Sequence, residues 1–136
     1  MADAYGASRG DRLSTEFWDL LAAGQFVVQR CHQCQEARFP PTTFCPRCHG
    51  IDWSWVAVSG AGTLWSTTTV RVAPSPDLQA DVPYHLAVVE LAEGPRVLGR
   101  LRDAGDGPAI GLAVVLVIDP PAAPEQPARY HFRPSA

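Results

Sequence analysis

The sequence predicts a mainly β chain with one N-terminal helix, a cysteine-braced ribbon and, beyond it, a small antiparallel barrel or sandwich. Three observations predict it. All four cysteines fall between residues 30 and 50, as two Cys-x-x-Cys pairs separated by ten residues. Apolar residues recur at helical spacing before them, and the period changes to two after them. Most of the thirteen prolines and eleven glycines lie between the apolar runs rather than inside them, as short strands with frequent turns require.

The first element is the helix. In LSTEFWDLLAAGQF, Ser14 is the expected N-cap, with Leu13 and Trp18 spaced as a hydrophobic staple around it. Glu16 and Asp19 suit the positive end of the helix, and Gly24 is its natural stop. Phe17, Leu20 and Leu21 share one face, with Trp18 beside them. A helix this short is marginal alone, so that face must dock. Either it packs on its own domain or it meets a partner, and Phe17 and Trp18 are the candidate partner-binding residues.

The ribbon comes next. Cys31, Cys34, Cys45 and Cys48 form two knuckles that can set four sulfurs around one cation, the closed tetrahedral geometry of structural Zn²⁺ sites. Iron is the other metal that four thiolates hold. Disulfides suit a reducing compartment poorly, and a Cys-x-x-Cys loop is too short to gain much from a bridge. Thioredoxin-like chemistry needs one such pair within a βαβ unit, which the sequence does not offer. Catalytic zinc keeps a position open, whereas four cysteines close the shell, so the metal is expected to be structural. His32 and His49 beside the knuckles are expected as neighbours rather than ligands.

The strands follow. IDWSWVAV puts Ile51, Trp53 and Trp55 on one face, and Gly60-Ala61-Gly62 turns the chain into TLWSTTTVRV. After the proline-rich loop APSPDLQADVP come YHLAVVEL, RVLGRL and GLAVVLVI, with turns at Glu93-Gly94-Pro95 and DAGDGPA. Five strands with short connections predict the barrel or sandwich, to which RYHFRP could return as an edge strand.

Chemistry-bearing patterns are sparse. No Gly-x-Ser-x-Gly elbow, glycine-rich phosphate loop or His-Glu-x-x-His helix occurs. Asp77, Asp81 and Glu90 read as turn or edge residues, and His85 and His131 as structural strand histidines, so no enzyme is expected. With eleven basic residues against fourteen acidic ones and a net charge of −3, no long-range field gathers nucleic acid. A nucleic-acid-binding protein is still the rival reading, because ribbons and small barrels serve that role and Arg30, Arg38, Arg47 and Arg71 could form a basic strip. No apolar run reaches the ~18 to 20 residues of a membrane span, and the N-terminus lacks a signal-peptide core. A cytoplasmic protein is expected, with no membrane partner.

Taken in order, FWDLLAAGQFVVQRCHQC, RFPPTTFCPRCHG, WVAVSGAGTLWSTTTVRVAP, DVPYHLAVVELAEGPRVLGRL and the closing FRP resemble the zinc-ribbon/OB-fold acyl-CoA-associated family, formerly a domain of unknown function. Arg-Phe-Pro-Pro at 38–41 and Ser-Gly-x-Gly-Thr at 59–63 are its most specific marks. The resemblance implies an N-terminal arm and amphipathic helix over 1–26, a rubredoxin-like zinc ribbon over 27–50 and an OB-fold barrel over 51–136. It also implies a non-catalytic accessory subunit that joins a thiolase-like catalytic subunit in a hetero-oligomer. Such assemblies act on acyl thioesters in lipid, steroid or polyketide metabolism, with acyl-CoA at the shared interface as a candidate ligand. Only the four cysteines carry over as site residues, holding Zn²⁺; no motif marks an acyl-CoA site on numbered positions.

Overall fold

The computed structural model describes residues 12–135. Its elements are one α-helix, α1 (Arg12–Ala22), a single 3-10 turn at Pro76–Leu78, and eight strands: β1 (Val27–Cys31), β2 (Ala37–Arg38), β3 (Trp53–Ala57), β4 (Ala61–Val70), β5 (Tyr84–Leu91), β6 (Arg96–Leu101), β7 (Ala113–Asp119) and β8 (Arg129–Pro134). The chain divides into two compact units. The first runs to Ser59 and adds Glu93–Pro95 and Ile118–Arg129; the second holds Gly60–Ala92, Arg96–Val117 and the chain from Tyr130 on. Among the described residues no helix is long and apolar enough to cross a membrane.

In the first unit, α1 already includes Arg12, so Ser14 is helical and is not the N-cap; the capping position lies outside the described residues. Glu16 and Asp19 accordingly fall beyond the first turn. Glu16 instead accepts a hydrogen bond from Trp55 Nε1 at 3.1 Å, joining the helix to β3. The expected stop is present. Gly24 takes φ +92°, and the Gly24 and Gln25 amides bond back to the carbonyls of Leu21 and Leu20, the paired bonds of a Schellman cap. Phe17 and Leu21 are buried. The Phe17 ring stands 5.2 Å from Phe26, 5.3 Å from Trp18 and 5.4 Å from Phe39, so an aromatic cluster is the core under this helix.

The sheet of this unit runs β2-β1-β3, all antiparallel. Here the structure departs from the sequence expectation. Trp53–Ala57 is not a barrel strand: it pairs with β1 from Val27↔Ala57 to Cys31↔Trp53. The chain passes from the first unit to the second after β3, between Ser59 and Gly60. A period of two states that a strand is half-buried and not which neighbour it pairs with, which is why the sequence assigned it to the wrong sheet.

The second unit is a closed barrel in the order β4-β5-β6-β8-β7, which settles barrel against sandwich. β4 pairs with β5 along its length and with β7 at its start, closing the sheet on itself. The fifth strand is RYHFRP. It is not an edge, because β8 lies between β6 and β7 and runs parallel to β6 at Arg100↔His131 and Leu101↔Phe132. Leu64, Ala87, Val89, Leu91, Val97, Leu101, Val114 and Phe132 fill the interior. Gly62 is required by packing: a Cβ there would stand 2.5 Å from Val89 Cγ1 and 2.9 Å from the Glu90 carbonyl. Between Leu64 and Ser66 the register slips by one residue. The extra residue, Trp65, turns outward, half exposed, beneath the Arg96 guanidinium at 3.9 Å.

Candidate metal centre

The first knuckle hangs from a strand. Cys31 is the last residue of β1 and fully buried, and its backbone is held by the Glu36 carbonyl at 2.9 Å and the Gln35 amide at 3.0 Å. Gln35 takes φ +64° to complete that tight turn, as His49 does with +65° in the second. The second knuckle repeats the pattern without a strand. The Cys45 amide bonds the Gly50 carbonyl at 2.9 Å, and the His49 amide bonds the Cys45 carbonyl at 2.8 Å.

These turns bring the four predicted ligands together. The four sulfurs lie within 4.8 Å of one another, with Cys31 and Cys45 buried and Cys34 and Cys48 half-buried. Sγ of Cys31 stands 3.6 Å from that of Cys48, and Sγ of Cys34 stands 3.7 Å from that of Cys45. Four sulfurs each ~2.3 Å from a central zinc would be separated by ~3.8 Å along every edge of the tetrahedron. The residues fit the metal. The separations also lie far beyond the ~2.05 Å of a disulfide.

The electrostatics agree. The Cys34 backbone amide points at the Cys31 sulfur and lowers that thiol below its ordinary range, and the Cys48 amide holds Cys45 down at about 6. At Cys48 the Gly50 amide pulls the same way, but burial and the three neighbouring sulfurs push that thiol up to about 11. Crowded thiols resist ionising together, and a divalent cation among them supplies the counter-charge that lets all four be thiolates. Arg47, between the cysteines of the second knuckle, pairs with Glu36, two residues past the first. The Glu36 carboxylate, and after it the sulfurs of Cys34 and Cys45, raise the Arg47 pKa.

The other sequence candidates stand apart from this cluster. Phe17 is only 3% exposed, within its own unit's core, and of the proposed partner-binding pair only Trp18 is half-exposed. His32 meets the Ser54 hydroxyl and His49 stacks edge-on near Phe44, so neither enters the sulfur cluster. Sequence reasoning missed a buried polar group, Gln29 and Arg38, at 0% and 7% exposure. The signal was available: in Val27-Val28-Gln29-Arg30-Cys31, Gln29 shares the strand face of Val27 and Cys31.

A four-thiol ribbon followed by a barrel in which the third strand runs parallel to the fifth defines a zinc-ribbon/OB-fold protein. Two family models match successive parts of the chain: "ChsH2, rubredoxin-like zinc ribbon domain" over residues 18–53, and "ChsH2, C-terminal OB-fold domain" over 55–119. A solved chain titled "Ltp2-ChsH2(DUF35) aldolase" superposes with a TM-score of 0.79 at 34% identity, covering 93% of this chain and 97% of that one. The chain belongs to the ChsH2-like DUF35 family. Among curated relatives, a "Probable enoyl-CoA hydratase alpha subunit" of Thermomonospora curvata is 37% identical over 74% of this chain and 31% of its own length. A "DUF35 domain-containing scaffold protein" of Methanocaldococcus jannaschii is 35% identical over 54% of this chain and 52% of its own. The chain thus spans about a third and about half of these two relatives.

Proposed function

We propose that this chain is a non-catalytic accessory subunit that binds a thiolase-superfamily enzyme acting on acyl-CoA or related thioesters, with one structural Zn²⁺ held by Cys31, Cys34, Cys45 and Cys48. The observation that carries the reading is the likeness, over nearly the whole of both chains, to a chain of the Ltp2-ChsH2(DUF35) aldolase. The side chains support it. Both ring nitrogens of His85 are engaged, Nδ1 with the Thr69 hydroxyl at 3.0 Å and Nε2 with the Gly105 carbonyl at 2.9 Å. Asp81 pairs with Arg100, Glu90 with Arg96, and Asp77 accepts from Ser75. These three acids and His85 are thus engaged in holding turns and strands. The basic strip of the nucleic-acid reading is weakened likewise, since Arg38 is buried and Arg47 is paired.

Trp18, half-exposed on α1, is the anchor proposed for the partner contact, in keeping with the aromatic residues that dominate interface energetics. The test is co-expression with a thiolase-like catalytic subunit from the same genome, followed by assays of each chain and of the pair. This chain alone is expected to be inactive and the pair active. Trp18→Ala is expected to weaken co-purification without changing metal content. Full activity of the catalytic subunit alone, or failure of the two to associate, would refute the proposal.

A further inference from the structure

Between β2 and β3, residues 39–52 form neither helix nor strand, yet this segment carries half of the sulfur cluster. Its far end is fixed by the backbone, where the His32 amide bonds the Asp52 carbonyl at 2.9 Å. Its near end is fixed at Thr42, by side chains. The Gln29 carboxamide donates from Nε2 to the Thr42 carbonyl at 3.0 Å and accepts at Oε1 from the Thr42 amide at 2.8 Å. It bonds Thr42 as the peptide group of a neighbouring strand would. Arg38, the register partner of Gln29 across β1 and β2, closes the group. Its Nε donates to Gln29 Oε1 at 3.0 Å and to Thr42 Oγ1 at 2.9 Å, and its Nη2 to the Thr42 carbonyl at 3.2 Å. The Thr42 hydroxyl in turn donates to the Phe44 carbonyl at 2.9 Å, one residue before Cys45.

We propose that Gln29 and Arg38 are positioning residues for the metal centre: their buried grip on Thr42 sets where Cys45 and Cys48 stand before the metal arrives. The inference rests on the reading that the four thiols hold zinc and goes beyond it by naming what preorganises them. The arrangement is better suited to placement than to stability. Arg38 Nη1 is buried and has no hydrogen-bond partner among the described residues, and the grip puts a guanidinium where an apolar side chain would avoid that cost. A loop held in register by buried polar groups has one allowed position, whereas apolar packing tolerates several.

The test uses the full chain, stripped of metal and titrated with zinc against a chromophoric chelator. Gln29→Leu removes both bonds to Thr42, while Gln29→Glu keeps the acceptor and loses the donor. Val28→Ala, in a fully buried residue on the opposite face of β1, is the control for stability alone. Gln29→Leu is expected to bind zinc about 10- to 100-fold more weakly, the range for partners that orient metal ligands, with Gln29→Glu in between. Val28→Ala is expected to melt earlier yet bind zinc as the natural chain does. In the metal-free form, amide exchange over residues 42–50 should speed up in Gln29→Leu and not in Val28→Ala. Zinc affinity unchanged in Gln29→Leu, or lowered equally in Val28→Ala, would overturn the proposal. Should Gln29→Leu fail to fold, Gln29→Glu decides by the same two measurements. If the natural chain itself binds no zinc, the metal reading falls on its own; exchange over residues 42–50 then decides the grip, and unchanged rates would sink it.

Discussion

Replacing Phe17 by Ala separates a core helix from a docking helix. The side chain is 3% exposed, and burying a phenylalanine contributes about 1.5 to 3 kcal/mol. Its ring also makes three aromatic contacts, with Trp18, Phe26 and Phe39, at 5.2 to 5.4 Å between centroids. Each such pair adds about 0.5 to 1.5 kcal/mol beyond area burial. The lower ends of these ranges give a loss of about 3 kcal/mol, and the cavity left behind extends it to about 5. At this chain length that lowers the melting temperature by roughly 10 to 20 °C. Thermal unfolding of the isolated, metal-loaded chain, followed by circular dichroism, reads it directly. A loss below about 1 kcal/mol would refute the packing argument, since a surface position gives losses of that size. Trp18→Ala in the same assay should cost clearly less, because that ring is only half-covered.

Three other outcomes follow from the structure. Elemental analysis should find one zinc per chain, and Cys45→Ser should lose it and melt earlier, because bound zinc adds its binding free energy to the stability of the folded ribbon; metal-free protein with four reactive thiols would contradict this. Burial pushes the Tyr130 phenol, which donates to the Leu98 carbonyl at 2.7 Å, up to about 12. The folded state then favours the neutral phenol, so its stabilising contribution is intact below the ordinary value of 10 and is lost as pH rises towards 12; an alkaline absorbance titration should show a late-ionising tyrosine that Tyr130→Phe removes. At ~150 mM salt no single-stranded oligonucleotide should bind measurably, and micromolar affinity with a steep salt slope would restore the nucleic-acid reading.

The convergence of the four thiols was legible because knuckle spacing is a covalent constraint: two residues between cysteines leave few ways to place the sulfurs, and the structure places them within 4.8 Å of one another. Gly24 was legible for a similar reason, since a positive φ after an apolar face has few other uses. What the sequence hid was pairing. Trp53–Ala57 alternates as a barrel strand would, and β2, only two residues long, carries no period at all. Ser14 has the chemistry of a cap, but a helix that already includes Arg12 makes it an interior residue. Gln29 and Arg38 were hidden by their polarity, because only the folded register shows that each satisfies the other and Thr42. Phe17 and Trp18 are adjacent in sequence and share one apolar stretch, and only the packing separates the buried ring from the half-exposed one.

The place of β8 in the barrel has a consequence for synthesis on the ribosome. The strands of the ribbon sheet are all made by Ala57, whereas the gap between β6 and β7 waits for Arg129–Pro134. Until that segment emerges, β6 and β7 each present a row of unpaired backbone groups, the kind of edge that recruits strands from other nascent chains. Barrel closure is therefore a late event whatever the speed of the earlier hairpins.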